Sequence, residues 1–143
     1  MTTDAGGPYS ADIAIIILDR DIPNAKRGVN FITPWNAETM GDLEGETFWL
    51  AGWGQSGSVN ENGNYDESHH TSQIFHRGRN VVNEIRDNML VYTMDSEADG
   101  GLWDEVMGHY GDSGSGALIV KDGEHHIIGV KSNGGMGQYG TSH

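Results

Sequence analysis

The sequence predicts an all-β fold in a single domain, and three observations support this. Its 143 residues include 22 Gly and 3 Pro, which suits many tight turns better than a disordered linker. Long amphipathic helical patterns are scarce, and short apolar runs end at Gly, Asn or Asp. The chain is long enough for one domain with a hydrophobic core, although closed pairs of β-barrels usually need about 200–250 residues.

The first half of the chain contains three predicted strands. Residues 12–18 (Asp-Ile-Ala-Ile-Ile-Ile-Leu) form the strongest one, and their continuous apolar character predicts a strand covered on both faces. Residues 29–33 alternate between apolar and polar side chains and stop at Pro34. Residues 47–51 form the third predicted strand, which runs into Gly-Trp-Gly at 52–54.

The second half is predicted to alternate loops with further strands. Two polar, Gly-containing segments are predicted loops: 55–73, which we expect to be mobile, and 95–105. Four apolar segments are predicted strands: 81–85, 89–93, 116–120 and 126–131. Lys-Asp-Gly-Glu at 121–124 carries the Asp-Gly dipeptide of tight hairpins, so we expect the last two strands to pair.

Charge and composition exclude several classes of function. The net charge of −13 argues against nucleic acid and anionic membranes, since both require a basic surface. No run of about 18 apolar residues predicts a membrane span. Cysteine is absent, which excludes disulfides, thiol nucleophiles and Cys-based metal sites. The acidic residues predict a solvated surface, with attraction of cationic substrates or Ca²⁺ as the less favoured alternative.

We expect no cofactor and no metal, with calcium as a less favoured alternative at two acidic segments. Asp95, Glu97, Asp99 and Gly100 are spaced like the start of a calcium loop. However, Val106 occupies the twelfth position, where such a loop needs a bidentate Glu. The Asn- and Asp-containing run at 60–66 is similar in kind.

The Gly-Asp-Ser-Gly segment at residues 111–114 has the composition of a nucleophile turn. A serine hydroxyl becomes a nucleophile when a base reaches it and hydrogen-bond donors await the oxyanion. Glycines on both sides let the backbone turn tightly and leave the Ser113 hydroxyl exposed. Taken alone, such a segment is more often an ordinary loop, so its context decides.

Five segments together resemble the trypsin-like (chymotrypsin-family) serine endopeptidases, in the order in which that family carries them. They are Asp-Ile-Ala-Ile at 12–15, Phe-Ile-Thr-Pro at 31–34, Ala-Gly-Trp-Gly at 51–54, Gly-Asp-Ser-Gly at 111–114 and Gly-Val-Lys-Ser-Asn-Gly at 129–134. The resemblance implies an antiparallel double β-barrel within a single partial domain spanning 1–143. Residues 1–36 would be the end of a largely missing first barrel with the connection, and 37–143 most of the second barrel.

The resemblance also implies the chemistry of this segment. Ser113 would be the nucleophile that forms an acyl-enzyme, and Asp12 the carboxylate that orients the catalytic imidazole. The backbone amides of Gly111 and Ser113 would form the oxyanion hole. Asp112 would be a structural carboxylate paired with a cation, often a newly cleaved N-terminus.

A protein or peptide substrate is the implied partner, and it would pair with the edge at 132–134. The substrate-binding residues carried over from the family are Met107, His109, Tyr110, Ser132, Asn133 and Gly134. Trypsins hold an Asp where this chain has Met107, so that position favours medium apolar side chains. The family also implies secretion, although residues 1–4 lack the pattern of a signal peptide.

The chain departs from the family at the catalytic base. The family order is His, Asp, Ser, yet no His precedes Asp12. We expect each of the seven histidines present to lie on the surface or behind the site: His69, His70, His76, His109, His125, His126 and His143. The chain alone should therefore be nearly inert. A fragment of an endopeptidase, lacking the family's N-terminal His-bearing part and its C-terminal strand and helix, is the preferred hypothesis. The alternatives are a non-catalytic peptide-binding homologue and one chain of a split enzyme whose His-bearing N-terminal segment is supplied separately.

Overall fold

The computed structural model describes residues 13–20, 32–59, 64–71 and 74–132. Its elements, in chain order, are β1 (Thr33–Pro34), α1 (Ala37–Met40), β2 (Thr47–Gly52), β3 (Ser56–Val59), β4 (Tyr65–Thr71), β5 (His76–Val81), β6 (Glu84–Arg86), β7 (Met89–Val91), β8 (Gly116–Lys121) and β9 (Glu124–Val130). A 3₁₀ turn spans Glu97–Asp99. No helix in these ranges is long and apolar enough to cross a membrane.

A five-stranded sheet in the order β1-β9-β8-β2-β5 is the centre of the fold. All its pairings are antiparallel except that of β1 with β9. Two hairpins, β3–β4 and β6–β7, form separate two-stranded sheets. The all-β prediction is therefore confirmed at this level, while the sheets of the described residues are not closed into a barrel.

One face of the central sheet carries the hydrophobic core. Phe48 and Leu50 alternate on β2, and their buried side chains pack with Ala117 of β8, Val82 and Tyr92. The rings of Phe48 and Tyr92 meet edge to face at 5.2 Å between centroids. Burial of a side chain as large as that of Phe48 contributes about 2–3 kcal/mol to stability. The core therefore holds β2 and β8 in fixed positions.

The hairpin that joins β8 to β9 confirms its sequence prediction. Asp122 and Gly123 both have positive φ, 52° and 82°, as a two-residue type I′ turn requires. Asp87 and Asn88 make the same kind of turn between β6 and β7, with φ of 51° and 61°. The predicted strand at 81–85 is corrected here, because β5 ends at Val81 and β6 begins at Glu84.

Two further predictions are wrong. Residues 13–18 form no strand, and Ile15, Ile16 and Ile17 are 90%, 82% and 91% exposed. An apolar strand needs partners along its edges, and no described strand pairs with this segment. The predicted loop at 55–73 instead contains the hairpin β3–β4, because backbone pairing does not require apolar side chains.

Three smaller differences separate the predicted elements from those in the structure. Of the predicted strand at 29–33, the structure assigns Thr33 to β1, and residues 29–31 lie outside the described ranges. Strand β5, with its polar sequence His-Arg-Gly-Arg-Asn-Val, was not predicted. Helix α1 was also missed, although Asn36 caps it by accepting a hydrogen bond from the Glu38 amide.

Candidate functional site

Residues 111–115, named the serine turn here, expose the hydroxyl-bearing Ser113 between two glycines with positive φ. These values are 91° at Gly111 and 83° at Gly114. The turn is tied to the end of β9: the Gly114 amide donates to the Lys131 carbonyl at 2.8 Å, and the Lys131 amide donates to the Ser115 carbonyl at 2.8 Å. These two hydrogen bonds hold the serine turn against Lys131 and leave Ser113 exposed.

The carboxylate of Asp112 anchors the serine turn to the rest of the protein. Its Oδ1 accepts a hydrogen bond from the Gly54 amide at 2.9 Å, and its Oδ2 accepts one from the His109 amide at 3.0 Å. The Asp112 amide also donates to the His109 carbonyl at 3.1 Å. Hydrogen bonds to an ionised carboxylate are stronger than those between neutral groups. This side chain therefore holds the serine turn to both Gly54 and His109.

The Gly-Trp-Gly segment at 52–54 provides the space for that carboxylate. A Cβ added at Gly54 would lie 2.6 Å from the Asp112 Cγ, and one added at Gly52 would also overlap the carboxylate. The neighbouring Gln55 amide donates to the Tyr110 carbonyl at 2.8 Å. Two of the family-like segments, 58 residues apart in sequence between Gly54 and Asp112, thus form one structural unit.

Asp112 takes backbone amides as its hydrogen-bond partners. Lys131 is a nearby cation: burial lowers the pKa of its amine, and the negative charge of Asp112 acts in the opposite direction. The pairing of Asp112 with a cation such as a cleaved N-terminus stays a prediction.

Tyr92 links this unit to the core. Burial raises the pKa of Tyr92 to about 12, and the Asp112 charge adds to the rise, whereas a backbone hydrogen bond with Gly108 opposes it. Because the ring of Tyr92 packs on Phe48, the segment that precedes the serine turn rests on the hydrophobic core.

The sequence-predicted substrate-binding residues lie around the serine turn where the structure describes them. Met107 is half-buried and packs against the core. The ring of His109 meets that of Tyr110 edge to face at 5.0 Å, and Tyr110 is 68% exposed. Ser132 is exposed beyond the end of β9. Asp12, Asn133 and Gly134 fall outside the described residues.

The described histidines whose side-chain contacts are known lie against groups other than the Ser113 hydroxyl. The side chain of His76 lies at 3.1 Å from a different serine, Ser56. His126 lies on β9 and is buried, with its ring 5.9 Å from that of Trp35. Within the described ranges, none of the hydrogen bonds joins a histidine to the Ser113 hydroxyl.

A cavity of about 210 Å³ lies behind the serine turn. Asp112 and Ser115 line it from the turn, together with residues of β2, β3 and the segment 105–109. Ser113 is not among the lining residues. The cavity wall includes Arg77 and Val106, which sequence reasoning did not single out.

The acidic segment 95–105 uses some carboxylates internally, whereas Asp104 forms an ion pair with Arg79 at 2.8 Å. The two oxygens of Glu105 accept hydrogen bonds from the amides of Asp95 and Leu102, and Ser96 bonds to Asp99. In the part of the chain that the structure describes, no three His, Cys, Asp or Glu side chains are grouped as a metal site.

Sequence reasoning gave no role to Lys131, whose side chain lies against Gly108. Comparison with models of known protein families and with curated proteins finds no match for this chain.

Proposed function

We propose that this chain is part of a trypsin-like serine endopeptidase, with Ser113 as its nucleophile. The resemblance of five ordered sequence segments suggests the class. The observation that supports it best is the anchoring of Asp112 on Gly54 and His109, because it unites two of those segments around an exposed serine. A partial trypsin-like double barrel, with residues 37–143 contributing most of the second barrel, is the fold that goes with this proposal.

The proposed reaction is acyl transfer. The Ser113 Oγ attacks the peptide carbonyl as a base takes its proton, and the amine leaves once it is protonated; water then hydrolyses the acyl-enzyme. The amides of Gly111 and Ser113 stabilise the oxyanion. Asp12 orients the base, a histidine that a separate His-bearing N-terminal segment supplies. Secretion of the whole enzyme belongs to the same proposal.

Covalent labelling tests this proposal. The chain is incubated with a fluorophosphonate probe, and the modified serine is located by peptide mass spectrometry. We expect slow modification of Ser113 that disappears in Ser113→Ala and persists in Ser115→Ala, a matched change within the same turn. Modification spread over other serines, or none after prolonged exposure, would contradict the assignment.

A non-catalytic peptide-binding module is the second candidate. The absence of a histidine bonded to Ser113 in the described residues favours it. Such a module would bind extended peptides along Ser132 without any adduct at Ser113, so binding and labelling measured together separate the two functions.

A further inference from the structure

Arginine and tryptophan side chains alternate at the end of the central sheet that β5 forms. Trp49 of β2 lies opposite Arg79 of β5 in the strand register. The guanidinium carbons of Arg77 and Arg79 lie 5.7 and 5.6 Å from the centroid of the Trp49 ring. Arg79 also contacts the Trp103 ring, at 6.0 Å from its centroid. These contacts, named the Arg–Trp series here, run in the order Arg77, Trp49, Arg79, Trp103 and end on a tryptophan.

The last member of the series is exposed although the chain on both sides of it is held. Trp103 is 77% exposed. The Leu102 amide, which precedes it, donates to Glu105 Oε2 at 2.8 Å. The Asp104 carbonyl, which follows it, accepts a hydrogen bond from the Arg79 amide at 3.1 Å. A large aromatic side chain on a fixed backbone loses little freedom when a partner covers it, and tryptophan is enriched among the residues that dominate interfaces.

Asp104 neutralises the guanidinium that already contacts Trp103. The Arg79 Nε donates to both Asp104 oxygens, at 2.9 and 2.8 Å, and a second guanidinium nitrogen lies 2.8 Å from Oδ1. This hydrogen bonding lowers the pKa of Asp104, so the carboxylate stays ionised at neutral pH. Because the charge of Arg79 is compensated, a second cation at Trp103 meets little repulsion from it. Residues 95–105 contain no Lys or Arg, and the net charge of −13 attracts cations at longer range.

We propose that Trp103 binds the guanidinium group of an arginine on a basic protein partner, which extends the Arg–Trp series by one cation. The face of an indole ring is electronegative and attracts cations. A guanidinium is favoured over an ammonium group because it is planar, stacks on aromatic faces and is more weakly hydrated. The net charge of −13 disfavours an acidic partner. The inference does not involve Ser113, so it goes beyond the proposed function and can fail without it.

Titration of the full chain with small peptides tests the inference. The acetylated tripeptide amide Gly-Arg-Gly is compared with Gly-citrulline-Gly, its neutral isostere, and the indole N–H signals of the tryptophans are followed by NMR. We expect the arginine peptide to bind at Trp103 about two- to fivefold more tightly than the citrulline peptide. This preference should decrease as the salt concentration rises, because screening weakens the attraction of the net negative charge.

Trp53 provides a matched control within the same chain. It is 64% exposed, but its ring lies 4.7 Å from that of Phe75 and outside the Arg–Trp series. Its indole signal should therefore shift less than that of Trp103. In Trp103→Leu the backbone amides of Gly100 and Gly101 report on the same loop, and the preference for arginine should disappear there. Trp53→Leu should keep the preference.

Each contrary outcome overturns a stated part of the inference. Equal binding of the two peptides at Trp103, or no shift of its signal with either peptide, overturns the cation site. Equal shifts at Trp53 and Trp103 indicate ordinary contact with exposed indoles and overturn the role of the Arg–Trp series. A preference for arginine that survives in Trp103→Leu overturns the role of that residue. The comparison of the two peptides uses the unaltered protein, so it holds even if a variant folds poorly.

Discussion

Removing the carboxylate of Asp112 is expected to release the serine turn. Its two hydrogen bonds, of 2.9 and 3.0 Å, tie the turn to Gly54 and His109. A hydrogen bond to a charged group contributes about 1.5–3 kcal/mol. Because Asp112 is half-buried, water replaces part of each bond in a variant, and the lower end of that range applies. Asp112→Ala should therefore cost about 3 kcal/mol, and Asp112→Asn, which keeps one acceptor, about half of that.

Hydrogen exchange measures this cost where it arises. A loss of about 3 kcal/mol in local stability should lower the protection of the Gly54 and His109 amides about a hundredfold in Asp112→Ala. Asp122→Asn is the matched control, because it removes the same charge from an exposed turn whose positive φ suits asparagine. Unchanged protection of the Gly54 and His109 amides in Asp112→Ala would refute the anchoring role of the carboxylate.

Three further predictions follow from packing, burial and exposure. Gly54→Ala places a Cβ 2.6 Å from the Cγ of the anchoring carboxylate and should lower the urea midpoint of unfolding, whereas Gly116→Ala, with its nearest contact at 3.4 Å, should change it little. Equal effects would count against the steric argument. The pKa of Tyr92 is raised from 10.0 to about 12, so the folded state keeps a proton that the unfolded state releases. The free energy of unfolding should be unaffected by this group below its unfolded pKa and fall by up to about 2–3 kcal/mol as the pH rises through the folded pKa; Tyr92→Phe should flatten that slope, and an unchanged slope would be the contrary result. Ile16→Lys should reduce concentration-dependent association in light scattering, because Ile16 is 82% exposed in an uncharged apolar segment. Ile85→Lys, at a 41% exposed site, is its control, and an equal reduction by both would argue against a special role for residues 13–18.

The elements that the sequence predicted correctly are those whose signals are local. The β8–β9 hairpin follows from two apolar strands and one Asp-Gly dipeptide at Asp122 and Gly123, all within a few residues. The apolar run at 13–18 has an equally strong local pattern but no described pairing partner, and it forms no strand. Pairing between distant segments decides whether such a run becomes a strand, and periodicity alone does not contain that information.

The same distinction holds for the candidate site. The motifs around Gly54 and Ser113 were recognised separately, but the hydrogen bond from the Gly54 amide to Asp112 spans 58 residues and required the structure. Lys131 extends an apolar strand pattern, and its contact with Gly108 was seen only in the structure. The catalytic chemistry proposed for Ser113 rests on family-like motifs together with this geometry.

The dependence of Ser113 labelling on added imidazole tests the central claim most directly. If the serine turn presents a nucleophile that lacks its base, a diffusible base should replace the histidine with low efficiency, because it loses the advantage of being held in place. We predict that the rate of fluorophosphonate modification at Ser113 is slow in buffer alone and rises in proportion to imidazole concentration. Rapid labelling that is independent of imidazole would show that the chain already contains a base. A rate that stays negligible at every imidazole concentration would contradict the assignment of Ser113 as a nucleophile.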